Sequence, residues 1–258
     1  MLELENIHFS YDKKTSVLSD LSLKVEQGDC LALIGPNGCG KTTLIKLICD
    51  LLEKQKGTIK LNGTDTHDLN VKQEILYLPS DDILPEFLTG REYIKLMLKM
   101  YSVVLDKEEL NRLVRYYSFE SALDVLIEEY SNGMKKKVQL IAAMLISPKV
   151  MIIDETLNGM DVESREITKL LLLNFIKPEK TVIMCSHDLN LLEEMCNKVV
   201  ILYGGKIHTQ ENIEDVQKTT SLLSVFKEII NHDELKKEID WDQNKIKFNG
   251  ENNEIKTN

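Results

Sequence analysis

Short apolar runs separated by polar breaks dominate the chain, and their spacing divides them into two kinds. In residues 2–9 and 20–26 apolar side chains fall at every second place: Leu2 and Leu4, then Leu21, Leu23 and Val25. That period belongs to strands with one buried face, and it predicts an antiparallel pair around a turn at residues 11–14. Gln27-Gly28-Asp29 breaks the second strand. The run CLALI at residues 30–34 then shows no alternation, as expected of a strand buried on both faces. The same character returns at residues 150–153, ended by Asp154-Glu155, and at residues 181–185, ended by Ser186-His187-Asp188. Residues 58–61 and 75–78 are further strand candidates, with the turn dipeptide Asn62-Gly63 between them.

Helical spacing fills the intervals. A helix is predicted over residues 42–52. Thr89 with Glu92 reads as a capping box opening a helix to about residue 101. Asp106 with Glu109 opens a second, to about residue 117, and residues 123–129 are read as a third. Residues 135–146 carry Val138, Ile141, Ala142 and Leu145 on one helical face, and Pro148 closes that helix. Asp161 caps another. Residues 198–202 and 206–209 form a closing hairpin around Gly204-Gly205. Residues 212–232 are read as helical, with a stripe of Leu222, Val225, Phe226 and Ile229. Residues 233–258 are rich in Asp, Glu, Lys and Asn, contain the only tryptophan, Trp241, and read as a loosely ordered tail. No internal repeat is apparent.

Composition narrows the function classes. The chain has 258 residues, 43% of them hydrophobic, enough for an ordinary globular core. Its net charge of −10 argues against a nucleic-acid partner. No run of about 18 apolar residues is present, so no membrane span is expected. The start, MLELENIHFS, lacks the basic and apolar regions of a signal peptide. Five cysteines (Cys30, Cys39, Cys49, Cys185 and Cys196) show no metal-ligand spacing and read as free thiols of a reducing cytoplasm.

Chemistry enters at Gly35-Pro36-Asn37-Gly38-Cys39-Gly40-Lys41-Thr42-Thr43, which fits G-x-x-x-x-G-K-[ST] between a predicted strand and a predicted helix. Glycines let backbone N–H groups turn inward around phosphate oxygens. Lys41 supplies a cation for the β- and γ-phosphates, and the Thr42 hydroxyl a ligand for Mg²⁺. Asp154, at the end of a buried strand, is placed to hold Mg²⁺ directly or through water. Glu155, pointing elsewhere, could take a proton from an attacking water. The fold class that follows is α/β: a P-loop NTPase core with a mainly parallel sheet, an N-terminal antiparallel β subdomain and an inserted helical subdomain at about residues 80–148.

These residues resemble the ATP-binding subunits of ABC transporters over residues 1–232, most closely single-domain bacterial subunits of exporters with separate permeases. Six ordered motifs carry the resemblance. Tyr11 matches the aromatic residue that stacks on adenine, and residues 35–42 match the phosphate loop. Ser131-Asn132-Gly133-Met134 stand where the family writes S-G-G-Q, and residues 150–155 match the Asp strand and catalytic Glu. Asn158-Gly159-Met160-Asp161 resembles the dimer-contact loop, and His187 the switch histidine at the γ-phosphate. Departures are also present. Ser80 replaces the usual Gln, a position from which serine could reach Mg²⁺ only through an additional water. Asn132 and Met134 replace signature residues, Tyr130 replaces Leu, and Thr156 replaces the proline after Glu155.

The resemblance implies an ATPase motor using ATP and Mg²⁺, in which two ATP-binding subunits, identical or related, close head to tail. Each site would join one chain's phosphate loop, Asp154, Glu155 and His187 to Ser131 and Gly133 of the other. A membrane permease would be the second partner, docking near residues 80–88 and holding the chain at the cytoplasmic face of the membrane. The alternatives are a soluble ATPase of this fold acting in protein or cluster assembly, and a nucleotide-gated binding module with little turnover. The Lys135-Lys136-Lys137 run is read as a solvated helix face, and Cys39 as incidental or as a thiol open to alkylation.

Overall fold

The computed structural model describes residues 1–12, 15–81 and 83–230. The N-terminal alternation forms β1 (Leu2–Phe9) and β2 (Leu18–Val25), antiparallel, with Leu4 opposite Leu23. The buried run forms β3 (Cys30–Ile34) and leads into α1 (Lys41–Ile48). That helix stops four residues before the predicted end. Asp50 takes a left-handed φ of 52°, and the Asp50 and Leu51 amides fold back onto the carbonyls of Leu47 and Lys46. The end is therefore satisfied by a reversed turn rather than by further helix. β4 (Lys56–Leu61) pairs with the other edge of β1, and the Asn62-Gly63 turn returns it to the short β5 (Thr64–Asp65). A one-turn helix, α2 (Leu69–Lys72), then leads to β6 (Ile75–Leu78).

The next helix is α3 (Gly90–Met100), whose Thr89–Glu92 capping box is formed as predicted. Gly90 allows a close approach: a Cβ there would lie 2.3 Å from the Tyr130 hydroxyl, which donates to the Ala122 carbonyl. Asp106 caps α4 (Lys107–Tyr116). The predicted third helix at residues 123–129 is instead turns ending in a single 3₁₀ turn at Ile127–Glu129. Its backbone is taken by the preceding segment: the Ile127 amide donates to Leu88, the Glu128 amide to Glu86, and the Arg91 amide to Leu123. α5 (Asn132–Ile146) starts earlier than its apolar stripe predicts, because Ser131 caps it by accepting from the Met134 amide.

β7 (Val150–Asp154), α6 (Val162–Phe175), β8 (Thr181–Cys185) and α7 (Leu189–Met195) follow. The expected closing hairpin, β9 (Lys198–Tyr203) and β10 (Lys206–Asn212), is more than a lid. β9 also pairs in parallel with β3, which completes a sheet of order β10-β9-β3-β8-β7-β6. The terminal helical stretch is broken into α8 (Ile213–Gln217) and α9 (Leu222–Ile229), where Ser221 caps the second. The tail at residues 233–258, with Trp241, and the tip of the turn at residues 13 and 14 lie outside the described residues.

Alternation along the parallel strands divides the core in two. Leu31, Leu33, Ile152 and Ile183 meet α1 and the first sheet, while Ala32, Ile34, Met151, Ile153 and Met184 face the helices on the other side. Each leucine, isoleucine or methionine among them contributes about 1.5–3 kcal/mol when fully buried. The parallel order brings the carboxyl ends of β3, β6, β7 and β8 to one rim, where α/β sheets place their chemistry.

Candidate active site

One cavity of about 310 Å³ at that rim is lined by Tyr11, Asn37, Gly38, Lys41, Asp154 and Glu155 among others. The loop between β3 and α1 wraps one wall. Gly40 has φ 109°, so the turn requires glycine, and a Cβ there would also press on the Leu18 methyl at 2.7 Å. The Lys41 ammonium lies inside the loop, donating to the carbonyls of Gly35 (2.7 Å) and Pro36 (3.2 Å). Among the described residues this cation is held by carbonyls alone, and at the start of α1 it is positioned to exchange them for phosphate oxygens. Cys39 is buried beneath the loop, and burial pushes its thiol up from the ordinary range, which disfavours the alkylation-sensitive reading.

Tyr11 is 63% exposed at the mouth. Its ring stands edge-on to Phe9 at 4.9 Å, and its hydroxyl lies 3.2 Å from that of Thr43. Deeper in, the Thr42 hydroxyl donates to Asp154 Oδ2 at 3.4 Å, which leaves the Thr42 oxygen lone pairs free. Burial raises the Asp154 carboxyl above the usual range, opposed chiefly by a hydrogen bond from Tyr77. Among the described residues no group of three or more His, Cys, Asp or Glu could hold a metal. Two hard oxygen donors beside a phosphate loop nevertheless fit Mg²⁺, which takes few protein ligands and completes its shell with phosphates and water.

Glu155 takes a left-handed φ of 55°, an uncommon conformation for this residue type that turns its side chain out of the strand. Its amide donates to the Cys185 carbonyl on β8, and its carboxylate lies 2.8 Å from His187 Nε2. The residue after it, Thr156, is fully buried and donates to the carbonyl of Leu78 at 3.0 Å. A hydroxyl in the place of the family's proline thus ties the Glu155 turn to the end of β6.

The four signature positions are not in this cavity. Ser131 caps α5, and Met134 packs inward against the main core. Asn132 lines a separate, open groove of about 940 Å³ together with Ser80, Ile83, Phe87 and Lys135. Among the described residues Ser80 makes no hydrogen bond to Thr42, Asp154 or Glu155. Ser80→Ala is therefore expected to change the ATPase rate less than tenfold, about 1.4 kcal/mol of transition-state stabilisation. A hundredfold loss in a steady-state assay would show that Ser80 does reach the metal or the water.

The lysine run is not a solvated face. Lys135 pairs with Glu86, Lys137 with Asp161 at 3.2 Å, and the buried Lys136 donates to the Asn158 carbonyl. The helix that Ser131 caps is thereby tied to residues 158–161 of the same chain. Asp161 itself caps α6, accepting from the Ser164 amide and hydroxyl, and these bonds with Lys137 hold its carboxyl down to about 2. Tyr77 is the site neighbour that motif reading passes over, and Thr156, read from the sequence only as a departure from the motif, is the one that ties the Glu155 turn to β6. The signal for Tyr77 lies in the strand order, since Tyr77 pairs with Ile152 and so stands diagonal to Asp154.

Residues 18–158, more than half of the chain, match the ABC transporter family. The chain is 30% identical over 237 residues to an uncharacterized ABC transporter ATP-binding protein of Bacillus subtilis, YdbJ, covering 89% of this chain and 75% of that protein. A solved ATP-binding subunit of an ABC transporter is similar at TM-score 0.82 and 29% identity, over 89% of this chain and 99% of that one. A dimeric ATP-binding cassette in a post-hydrolysis state with ADP and Pi shares the fold at TM-score 0.73 and 20% identity, over 83% of this chain and 99% of that one. On its sequence and its fold, this chain belongs to the ABC transporter family as one of its ATP-binding proteins.

Proposed function

We propose that this chain is the ATP-hydrolysing motor of a transporter, with its ATPase unit over residues 1–232, and that it works as a head-to-tail pair with a second ATP-binding subunit on a separate membrane permease. The observation that carries this reading is the separation of Ser131 from the cavity that gathers Lys41, Thr42, Asp154 and Glu155. A hydroxyl and a helix start that belong with a γ-phosphate, yet line no part of their own chain's site, call for a second chain. The dimeric cassette of the same fold supports such pairing.

In this reading Lys41 and the loop amides hold the phosphates, and Thr42 and Asp154 hold Mg²⁺, which neutralises charge on the phosphates when bound. Glu155 takes the proton of the attacking water. The 2.8 Å contact from His187 orients the Glu155 carboxylate. Ser131 and Gly133 of the second chain close the site, so the γ-phosphate biases a two-state assembly.

No helix among the described residues is long and apolar enough to cross a membrane. On this reading the membrane path belongs to the permease, and membrane association would come through it. The groove beside Ser80 suits that partner, because Ile83 and Phe87 are 85% and 78% exposed on its wall. The test is purification from native membranes with and without the Phe87→Asp substitution, alongside steady-state phosphate release. A membrane subunit that co-purifies and is lost with Phe87→Asp supports the reading. ATPase activity with only soluble partners would favour a role in assembly, and negligible phosphate release would favour a nucleotide-gated binding module.

A further inference from the structure

Asp154 does not stand alone. Its Oδ2 accepts two hydrogen bonds, from the Thr42 hydroxyl at 3.4 Å and from the Tyr77 phenol at 3.2 Å. The second follows from the sheet. β6 and β7 are parallel with Tyr77 opposite Ile152, so Tyr77, Ile152 and Asp154 share the face turned to α1. A diagonal neighbour is within reach of an aromatic side chain, and the ring spans that interval to place its hydroxyl on the carboxylate. A phenol at neutral pH offers one proton, and here it goes to the metal-site oxygen.

We propose that Tyr77 is a positioning residue for the metal site: its phenol holds the Asp154 carboxylate in the orientation that receives a nucleotide-bound divalent cation. The inference rests on Asp154 and Thr42 being the metal's protein ligands. Thr42 sits on α1, directly after the phosphate loop, whereas Tyr77 and Asp154 are on hydrogen-bonded neighbouring strands. Of the two donors, Tyr77 is the one whose geometry is set by the sheet. Ser80, three residues further along, makes no such bond, so β6 acts on the metal site through Tyr77. Partners that orient a metal ligand typically change metal affinity by roughly 10–100-fold when removed.

The experiment is a Mn²⁺ titration of the full chain with ADP, reading free Mn²⁺ by electron paramagnetic resonance, for the parent, Tyr77→Phe and Asp154→Asn. Nucleotide affinity in EDTA and the melting temperature serve as controls, since Tyr77→Phe retains the ring and its packing. Tyr77→Phe is expected to weaken Mn²⁺ binding by roughly tenfold with metal-free ADP affinity unchanged, and Asp154→Asn to weaken it at least as much. Unchanged Mn²⁺ affinity in Tyr77→Phe, with a loss in Asp154→Asn, overturns the positioning role and leaves the Asp154 assignment standing. No loss in either variant overturns both. A Tyr77→Phe chain that loses metal-free ADP affinity to the same degree also overturns the role, because the phenol would then be serving the fold rather than the cation.

Discussion

Glu155→Gln is expected to reduce ATP turnover by about 10²–10⁴-fold, the usual worth of a general base, and to leave ATP bound. Glutamine keeps the length and planarity of the side chain, and its carbonyl oxygen can still accept from His187 Nε2, which lies 2.8 Å from the carboxylate here. The left-handed backbone at residue 155 is uncommon for either side chain, so the substitution adds no new strain there. What is removed is the negative charge and with it the basicity. If Ser131 and Gly133 of a second chain complete the site, uncleaved ATP also joins two chains, and the variant should accumulate as an ATP-dependent dimer in light scattering. Adding Ser131→Arg should dissolve that dimer, because a bulky cation at the cap of α5 cannot fit against a γ-phosphate and the partner backbone. Undiminished hydrolysis together with a persistent monomer would sink both the base assignment and the paired site. Lost hydrolysis in a monomer would keep the base and point to a different chain, or to the permease, as a requirement for pairing.

The parts of this site that could be read from the sequence are those where one residue type in one local pattern suffices. The limits of β3, β6 and β8 match the apolar runs to the residue, since strands buried on both faces have no polar positions to blur their ends. The Thr89 and Asp161 caps were legible because a short polar side chain before a helical pattern has few other uses. What could not be read depends on distant segments. Residues 123–129 have helical composition, yet their amides and carbonyls are claimed by residues 86–91. α1 ends early because Asp50 accepts a left-handed turn that local propensity does not forecast. The three lysines of α5 look solvated until Glu86, Asn158 and Asp161 arrive from other parts of the chain. Among site residues, Lys41, Thr42, Asp154 and Glu155 meet at one cavity as the phosphate loop and the buried strand suggest. Tyr77 becomes visible only when the parallel register of β6 and β7 is known, and the tie from Thr156, a residue already singled out after Glu155, only when the end of β6 is placed beside it.

Lys41→Ala should leave the fold intact and remove most of the stabilisation that ATP gives. The side chain is only half-buried, and among the described residues its hydrogen-bond partners are the carbonyls of Gly35 and Pro36, so few contacts of the fold are lost with it. The melting temperature without nucleotide should therefore move little. In the parent, ATP at about 100 times its Kd adds about 2.7 kcal/mol to the folded state. For a chain of this size that raises the melting temperature on the order of 5–10 °C. The carbonyls that now bind the ammonium are poor substitutes for phosphate oxygens carrying full charge. ATP should therefore draw Lys41 away from them into a charge-assisted hydrogen bond. Without that lysine, loop carbonyls face phosphate oxygens with no cation between them, and both the ATP-induced shift and phosphate release should collapse together. A melting shift equal to the parent's, with phosphate release preserved, would mean that nucleotide binds and reacts elsewhere. A preserved shift with release abolished would place Lys41 at the transition state rather than in ground-state binding, the outcome expected if the loop amides alone hold the triphosphate.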